Sequence, residues 1–216
     1  SLMISALTRA ISHVQIDEYS DIRTYGAPNV VRDMMLFGHS PESARKSPMV
    51  KFMSGGFMQS IDMVAKELGF KLDAKKRTLH DLSAATAPID SPIGVIEPGQ
   101  VAAQKFTWQG LVKDEPVITA TVCWLMGEEN LEPGWGFGPE GARYEIAVSG
   151  DPDMHMIIHG CHPASVEEGL KRNAGVVVTA LHCVSAIPYL CQAGPGIKTY
   201  LDLPLISGRA APRFQE

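Results

Sequence analysis

The chain has 216 residues, 45% of them hydrophobic and 20% charged, with a formal net charge of −5. This composition excludes a mainly disordered chain, and the length fits a sizeable core, read as a single domain over 1–216. The first half holds 12 basic and 11 acidic residues and the second 7 and 13, so neither half has the basic excess that nucleic-acid binding needs.

In chain order, a short helix is expected over Met3–Ser12, with Ser1-Leu2 read as a non-native addition. His13–Asp21 alternates, with Val14, Ile16 and Glu18 on one side and Gln15, Asp17 and Tyr19 on the other, which is strand periodicity. Ala27-Pro28-Asn29 leads into an apolar helix, Asn29–Phe37, stopped by Gly38. A longer helix starts at Ser47-Pro48 and runs to Leu68, with Gly55-Gly56 permitting a kink. Strands follow over Lys76–Ala84, Gln100–Leu111, Pro116–Met126, Arg143–Ser149 and Asp153–His159. Lys113-Asp114-Glu115 and Gly150-Asp151-Pro152 are hairpin turns, which implies largely antiparallel pairing.

Ser165 and Glu168 form a capping box for a helix running to about Leu190. Ala174–Cys191 has no charged residue, but Thr179, His182, Ser185 and Pro188 make it a buried helix rather than a membrane span. Ile197–Leu203 is a candidate last strand. Strands in the middle and helices at both ends define an α+β class: a mostly antiparallel or mixed sheet with helices packed on one face. The four cysteines are widely spaced and read as reduced, which places the chain in the cytoplasm.

Several motifs have competing readings. Gly136, Gly138 and Gly141 spell GxGxxG, but Pro139 interrupts it and a strand follows, so it is a glycine-rich loop; no phosphate cradle for a cofactor is visible. His155, His159, Cys161 and His162 resemble a zinc set, yet His155 and His159 on one strand would lie about 13 Å apart, so no metal is assigned. Six methionines between residues 34 and 63 either fill core or line an adaptable apolar pocket or a subunit interface.

Thr179, His182, Ser185 and Tyr189 share a face of the last long helix. They either satisfy one another in the core or line a ligand cleft, with His182 able to titrate near neutral pH. Asp17, Glu18, Tyr19, Asp21 and Arg23 crowd the end of the first strand, beside the helix opened at Asn29. They are either routine surface charge or a ligand site, with Asp17 and Asp21 for an ammonium and Arg23 for a carboxylate. Backbone N–H groups at Asn29 would hold an anion.

Ile16-Asp-Glu-Tyr-Ser-Asp21, Met35-Leu-Phe-Gly38, Val64-Ala-Lys-Glu-Leu-Gly-Phe70 and Pro98-Gly-Gln-Val-Ala-Ala-Gln104 fall in a familiar order, followed by Ala186-Ile-Pro188, Gly194-Pro-Gly-Ile197 and Asp202-Leu-Pro204. Over residues 13–206 the chain resembles the C-terminal domain of dihydrodipicolinate reductase-like proteins, the group that includes 2,4-diaminopentanoate dehydrogenase. The resemblance implies a substrate-binding and oligomerisation domain of an NAD(P)-dependent oxidoreductase, with the N-terminal nucleotide-binding domain absent and no cofactor bound by this chain alone. True reductases carry a His pair and a Lys after the first strand. Here that stretch reads Glu18 to Asn29 and keeps only Ala27-Pro28, so an amine or amino-acid dehydrogenase type is implied. The site then comprises His182 as the proton shuttle and Asp17, Tyr19, Asp21, Arg23, Asn29, Thr179 and Ser185 as substrate contacts. The expected partners are a small amine-like or amino-acid substrate and a second or further copy in a homodimer or homotetramer, with no nucleic acid or membrane. The competing readings are a free-standing small-ligand-binding protein and a structural dimerisation module.

Overall fold

The computed structural model describes residues 1–214. They form two compact units, Ser1–Asn173 and the residues from Ala174 on, where the sequence reading treats the chain as one domain.

The first unit is built on a seven-stranded sheet. After a one-turn helix α1 (Leu2–Ser5) comes β1 (Arg9–Asp21), so the strand begins four residues before the alternating segment and the helix expected to Ser12 is shorter. The others are β2 (Arg77–Ala85), β5 (Val101–Val112), β6 (Glu115–Leu125), β7 (Leu131–Glu132), β8 (Arg143–Asp151) and β9 (Met154–Ile158). A small hairpin of β3 (Ile89–Ser91) and β4 (Gly94–Ile96) stands apart. The order is β7-β2-β5-β6-β1-β8-β9, antiparallel throughout except for the parallel pair β1 and β6. The turn between β5 and β6 places Lys113 and Asp114 at φ 53° and 63°, the tight geometry that right-twisted hairpins favour.

Helix α3 (Met49–Leu68) packs on one face of this sheet through Ile61, Val64 and Ala65, against Phe106, Trp108, Ile118, Ala120 and Val122. Its course is uninterrupted at Gly55-Gly56. Phe57 stacks on Trp108 with ring centroids 4.0 Å apart, and the Trp108 indole N–H donates to Ser54 Oγ at 2.8 Å. Met53 and Met58 fill around this core and Met49 around the next, which is the gap-filling use of methionine. A second buried cluster, with Phe37, Ile96, Leu125, Met126 and Phe137, gathers residues from the ends of β1 and β6 and the loops beyond them.

The helix expected over Asn29–Phe37 is instead a five-residue π-helical turn, Val30–Met34. Tertiary bonds override local propensity here: buried Gln104 donates to the Met35 carbonyl at 2.5 Å, and Arg32 donates to the Ile93 carbonyl. Short α2 (Pro41–Arg45) follows, capped by Ser40. Helix α4 (Val166–Lys171) is capped by Ser165 Oγ, which accepts from Glu168 N at 3.2 Å. It ends at Arg172, which is extended, so the helix expected to reach Leu190 in one piece is two. Gly169 touches the turn after β1: an added Cβ would lie 2.6 Å from Thr24 Cβ, so no larger residue fits without displacement.

The second unit holds α5 (Ala174–Gln192) and a tail that is largely irregular. The buried placement expected for this helix is not what the structure shows: only Ala186 is buried, while Leu181, Val184 and Ile187 are 56, 57 and 52% exposed. An apolar run predicts a helix that needs covering, but not what covers it. By length and composition alone this stretch could cross a membrane. The expected strand Ile197–Leu203 is absent: Asp202 Oδ2 accepts from Thr199 N and Oγ1 at 2.8 and 2.7 Å, closing a turn instead.

Candidate functional site

Period-two alternation along β1 sends Gln15, Asp17, Tyr19 and Asp21 to the sheet face opposite α3, and Val14, Ile16, Glu18 and Ser20 to the α3 face. Asp17 sits between Thr121 of β6 and Glu145 of β8. Gln15 Nε2 donates to Asp17 Oδ1 at 2.5 Å and to Thr121 Oγ1 at 3.3 Å. Burial, with a smaller push from Glu145, raises the Asp17 pKa against the pull of the Gln15 and Thr121 bonds. Tyr19 lies under the Arg143 guanidinium, 4.2 Å from the ring centroid. Arg143 also donates to Glu145 at 2.7 Å and to the Phe137 and Gly141 carbonyls at 2.5 and 2.9 Å. His155 lies 2.6 Å from the other oxygen of Glu145.

At the end of β1, Asp21 accepts from Arg23 N at 3.0 Å and from Arg23 Nε and a terminal guanidinium nitrogen at 2.9 and 2.6 Å. The fork assigned to a substrate carboxylate is therefore filled by its neighbour. Gly127, at φ +85°, lies against this guanidinium, and a Cβ there would be 3.0 Å from Arg23 Cζ. Asn29 is exposed and its side chain caps nothing, while the N–H groups of Val30 and Val31 donate to the Ala27 carbonyl. Those two donors are thus not available to an anion.

The sequence reading missed a cluster on the α3 face. Glu18 Oε1 accepts from Ser20 Oγ at 2.8 Å and from the Trp124 indole N–H at 2.9 Å. Ser20 Oγ is also 3.0 Å from His162 Nε2. Tyr144, opposite Glu18 on β8, has its ring centroid 5.1 Å from that of His162. Burial first, then the Glu18 carboxylate, pushes the Tyr144 phenol up to about 12. Burial and the nearby His159 lower the His162 pKa. The signal was present: Glu18 is the one carboxylate in register with Val14 and Ile16, on a side that otherwise turns to core.

In the second unit, His182 and Ser185 line a groove of about 330 Å³ with Val178, Leu181 and residues 206–208. The His182 ring stacks on Tyr200 at 4.8 Å, and exposed Thr179 donates to the Gly175 carbonyl at 3.0 Å. Tyr189 and Ser207 hydroxyls are 3.4 Å apart. The stripe is therefore not a network within the core. Asp17, Tyr19, Asp21, Arg23 and Asn29 belong to the first unit and Thr179, His182 and Ser185 to the second.

No group of three or more His, Cys, Asp or Glu among the described residues is arranged to hold a metal ion. The glycine-rich segment does not suit a dinucleotide. Glu128 Oε1 accepts from Phe137 N at 2.5 Å, and a Cβ on Gly136 would lie 2.8 Å from that oxygen. A carboxylate thus stands where a pyrophosphate would need donors, and β8 follows the loop instead of a helix.

The first unit is thus a mixed sheet, with the parallel β1–β6 pair inside otherwise antiparallel strands, backed by α3. The chain shares its fold with an amine dehydrogenase structure from Mycobacterium smegmatis, at TM-score 0.62 and 16% identity, over 96% of this chain and 55% of that one. Residues 1–212 match the family model for the 2,4-diaminopentanoate dehydrogenase C-terminal domain, and the chain belongs to that family. It is 29% identical over 209 residues to an amine dehydrogenase of Streptomyces virginiae, covering 94% of this chain and 56% of the relative. It is 28% identical over 150 residues to a 2,4-diaminopentanoate dehydrogenase of Acetoanaerobium sticklandii, covering 69% and 37% respectively. The chain thus spans about half, or less, of the relatives it matches. The family match includes α5, so that helix is an element of the dehydrogenase domain.

Proposed function

We propose that this chain is the substrate-binding and oligomerisation part of an NAD(P)-dependent dehydrogenase acting on a small primary amine or amino acid. The dinucleotide is held outside the described residues, because the glycine-rich loop does not fit it. The observation that carries the reading is the state of the carboxylates at the end of β1. Asp21 is neutralised by Arg23, whereas Asp17 and Glu18 have no ion pair among the described residues. Asp17 also lies within reach of the Arg143 charge, but Glu18 is held only by the neutral donors Ser20 and Trp124, and an ammonium substrate would supply the cation it lacks. The names of the amine and diaminopentanoate dehydrogenase relatives support the same class.

His182 remains the proposed proton shuttle, with Thr179 and Ser185 beside it on α5. The exposed apolar residues of α5 support association with a second copy. Four free cysteines support a reducing, cytoplasmic setting. The test is calorimetric titration of the chain with pentylammonium chloride, using pentanol as the uncharged control. Saturable one-site binding of the ammonium alone is expected. No binding, or equal binding of pentanol, overturns the reading.

A further inference from the structure

We propose that Glu18 Oε2 is the ammonium-receiving atom of the substrate site, and that Ser20 and His162 are positioning residues that hold it in place. This rests on the amine reading above, and assigns to Glu18 the contact that sequence reasoning gave to Asp17 and Asp21.

The hydrogen-bond arithmetic leaves one arrangement. Ser20 has a single hydroxyl proton, and it goes to the Glu18 carboxylate, which can only accept. Ser20 Oγ must then accept from His162 Nε2, which places the imidazole proton on that nitrogen. A second observation agrees. His162 Nδ1 is sealed from solvent and has no partner, so a proton there would be an orphaned buried N–H. The chain of bonds runs in one direction, from His162 N–H to Ser20 O–H to Glu18 Oε1, and the Trp124 indole N–H converges on the same oxygen.

Oε1 is thereby fixed by two donors, and Oε2 takes no hydrogen bond among the described residues. His162 Nδ1 is the one sealed, unpartnered side-chain N or O atom among the described residues, so Oε2 retains access to solvent. A carboxylate with one oxygen anchored and the other open has its rotamer chosen before the ligand arrives. Its neighbours are the indole of Trp124, whose N–H edge meets Oε1, and Tyr144, its cross-strand partner on β8, so the surroundings tolerate an alkyl stem beside the charge. Ser20 is buried, and among the described residues its hydroxyl bonds Glu18 and His162 alone, so it joins the two.

The experiment is NMR titration of the 216-residue chain with pentylammonium chloride, followed at the Trp124 indole N–H and the His162 ring nitrogens. Saturable shifts at Trp124 and an Nε2-protonated, neutral His162 are expected. Glu18→Gln keeps both oxygen-side bonds but removes the charge, and binding should weaken about tenfold or more. His162→Gln can still donate to Ser20 and should bind within about twofold of the original, whereas His162→Phe should weaken binding about tenfold despite an unchanged melting temperature. A ring protonated on Nδ1, or equal losses in the Gln and Phe variants, overturns the positioning role. If Glu18→Gln binds as the original does while Asp17→Asn does not, the amine reading stands and the Glu18 assignment falls. If the original chain itself does not bind, both fall.

Discussion

Arg143 and Glu145, two residues apart on one face of β8, are joined at 2.7 Å, with Glu145 also 2.6 Å from His155 of β9. Arg143 is 9% exposed, and its remaining bonds hold the Phe137 and Gly141 carbonyls. The pair therefore ties the glycine-rich loop to the sheet rim beside Tyr19.

Replacing Arg143 with Met should remove those bonds while keeping much of the stem. Two carbonyls and a carboxylate would lose a buried donor, at a cost of about 2–4 kcal/mol. Urea unfolding measures this, and a change below about 0.5 kcal/mol would show that the loop needs no such anchor.

Stability should fall on mild acidification. Burial lowers the pKa of His13, His80 and His162 below the ordinary 6.5. The folded chain then binds fewer protons than the unfolded chain between those lowered values and 6.5. This contribution is complete above 6.5 and is lost as pH drops towards the folded values. Asp17 acts in the opposite sense, since its raised pKa favours the fold as pH falls towards 3.8. The melting temperature should therefore be lower at pH 5.5 than at pH 7.5, and His80→Gln should flatten the slope. An equal melting temperature at both pH values would contradict this.

The cysteines should separate by reactivity. Burial pushes the Cys123 thiol up to about 11, and it is 4% exposed, whereas Cys183 and Cys191 are exposed on α5. With the protein diluted until it is monomeric, iodoacetamide at pH 8 should label the latter two and spare Cys123 until denaturant is added. Native labelling of Cys123, read by peptide mass spectrometry, would refute this ordering.

Self-association through α5 should respond to charge. Leu181→Glu with Val184→Glu places two carboxylates on surface that is now apolar. Sedimentation should give more than one chain per particle for the original and one for the double variant. A 23.4 kDa particle for the original across a wide concentration range would remove the oligomerisation role.

The alternation of His13–Asp21 was enough to read both faces of β1, because a strand buried on one side imposes period two. It also put Glu18 on the side that became the aromatic cluster. What remained hidden was His162, which reaches Ser20 from 142 residues away through a loop with no periodicity. Arg23 shows the converse: its residue type suits a carboxylate ligand, but nothing in sequence tells that Asp21 takes the fork first. The π-helical turn at Val30–Met34 follows from Gln104, a buried side chain on a distant strand. For α5 the pattern told of apolar character and helix length, while the covering surface is a property of what the helix meets.

The most direct test of the amine-dehydrogenase reading joins this chain in frame to the part of the Streptomyces virginiae amine dehydrogenase that it does not match. The 216-residue chain by itself should show no saturable binding of NADH or NADPH. The joined protein should bind the dinucleotide and reduce NAD(P)+ in the presence of a small primary amine, releasing ammonia and the carbonyl product in equal amounts. A folded, dinucleotide-binding fusion that turns over no amine or amino acid, or saturable NADH binding by the chain alone, would contradict the account.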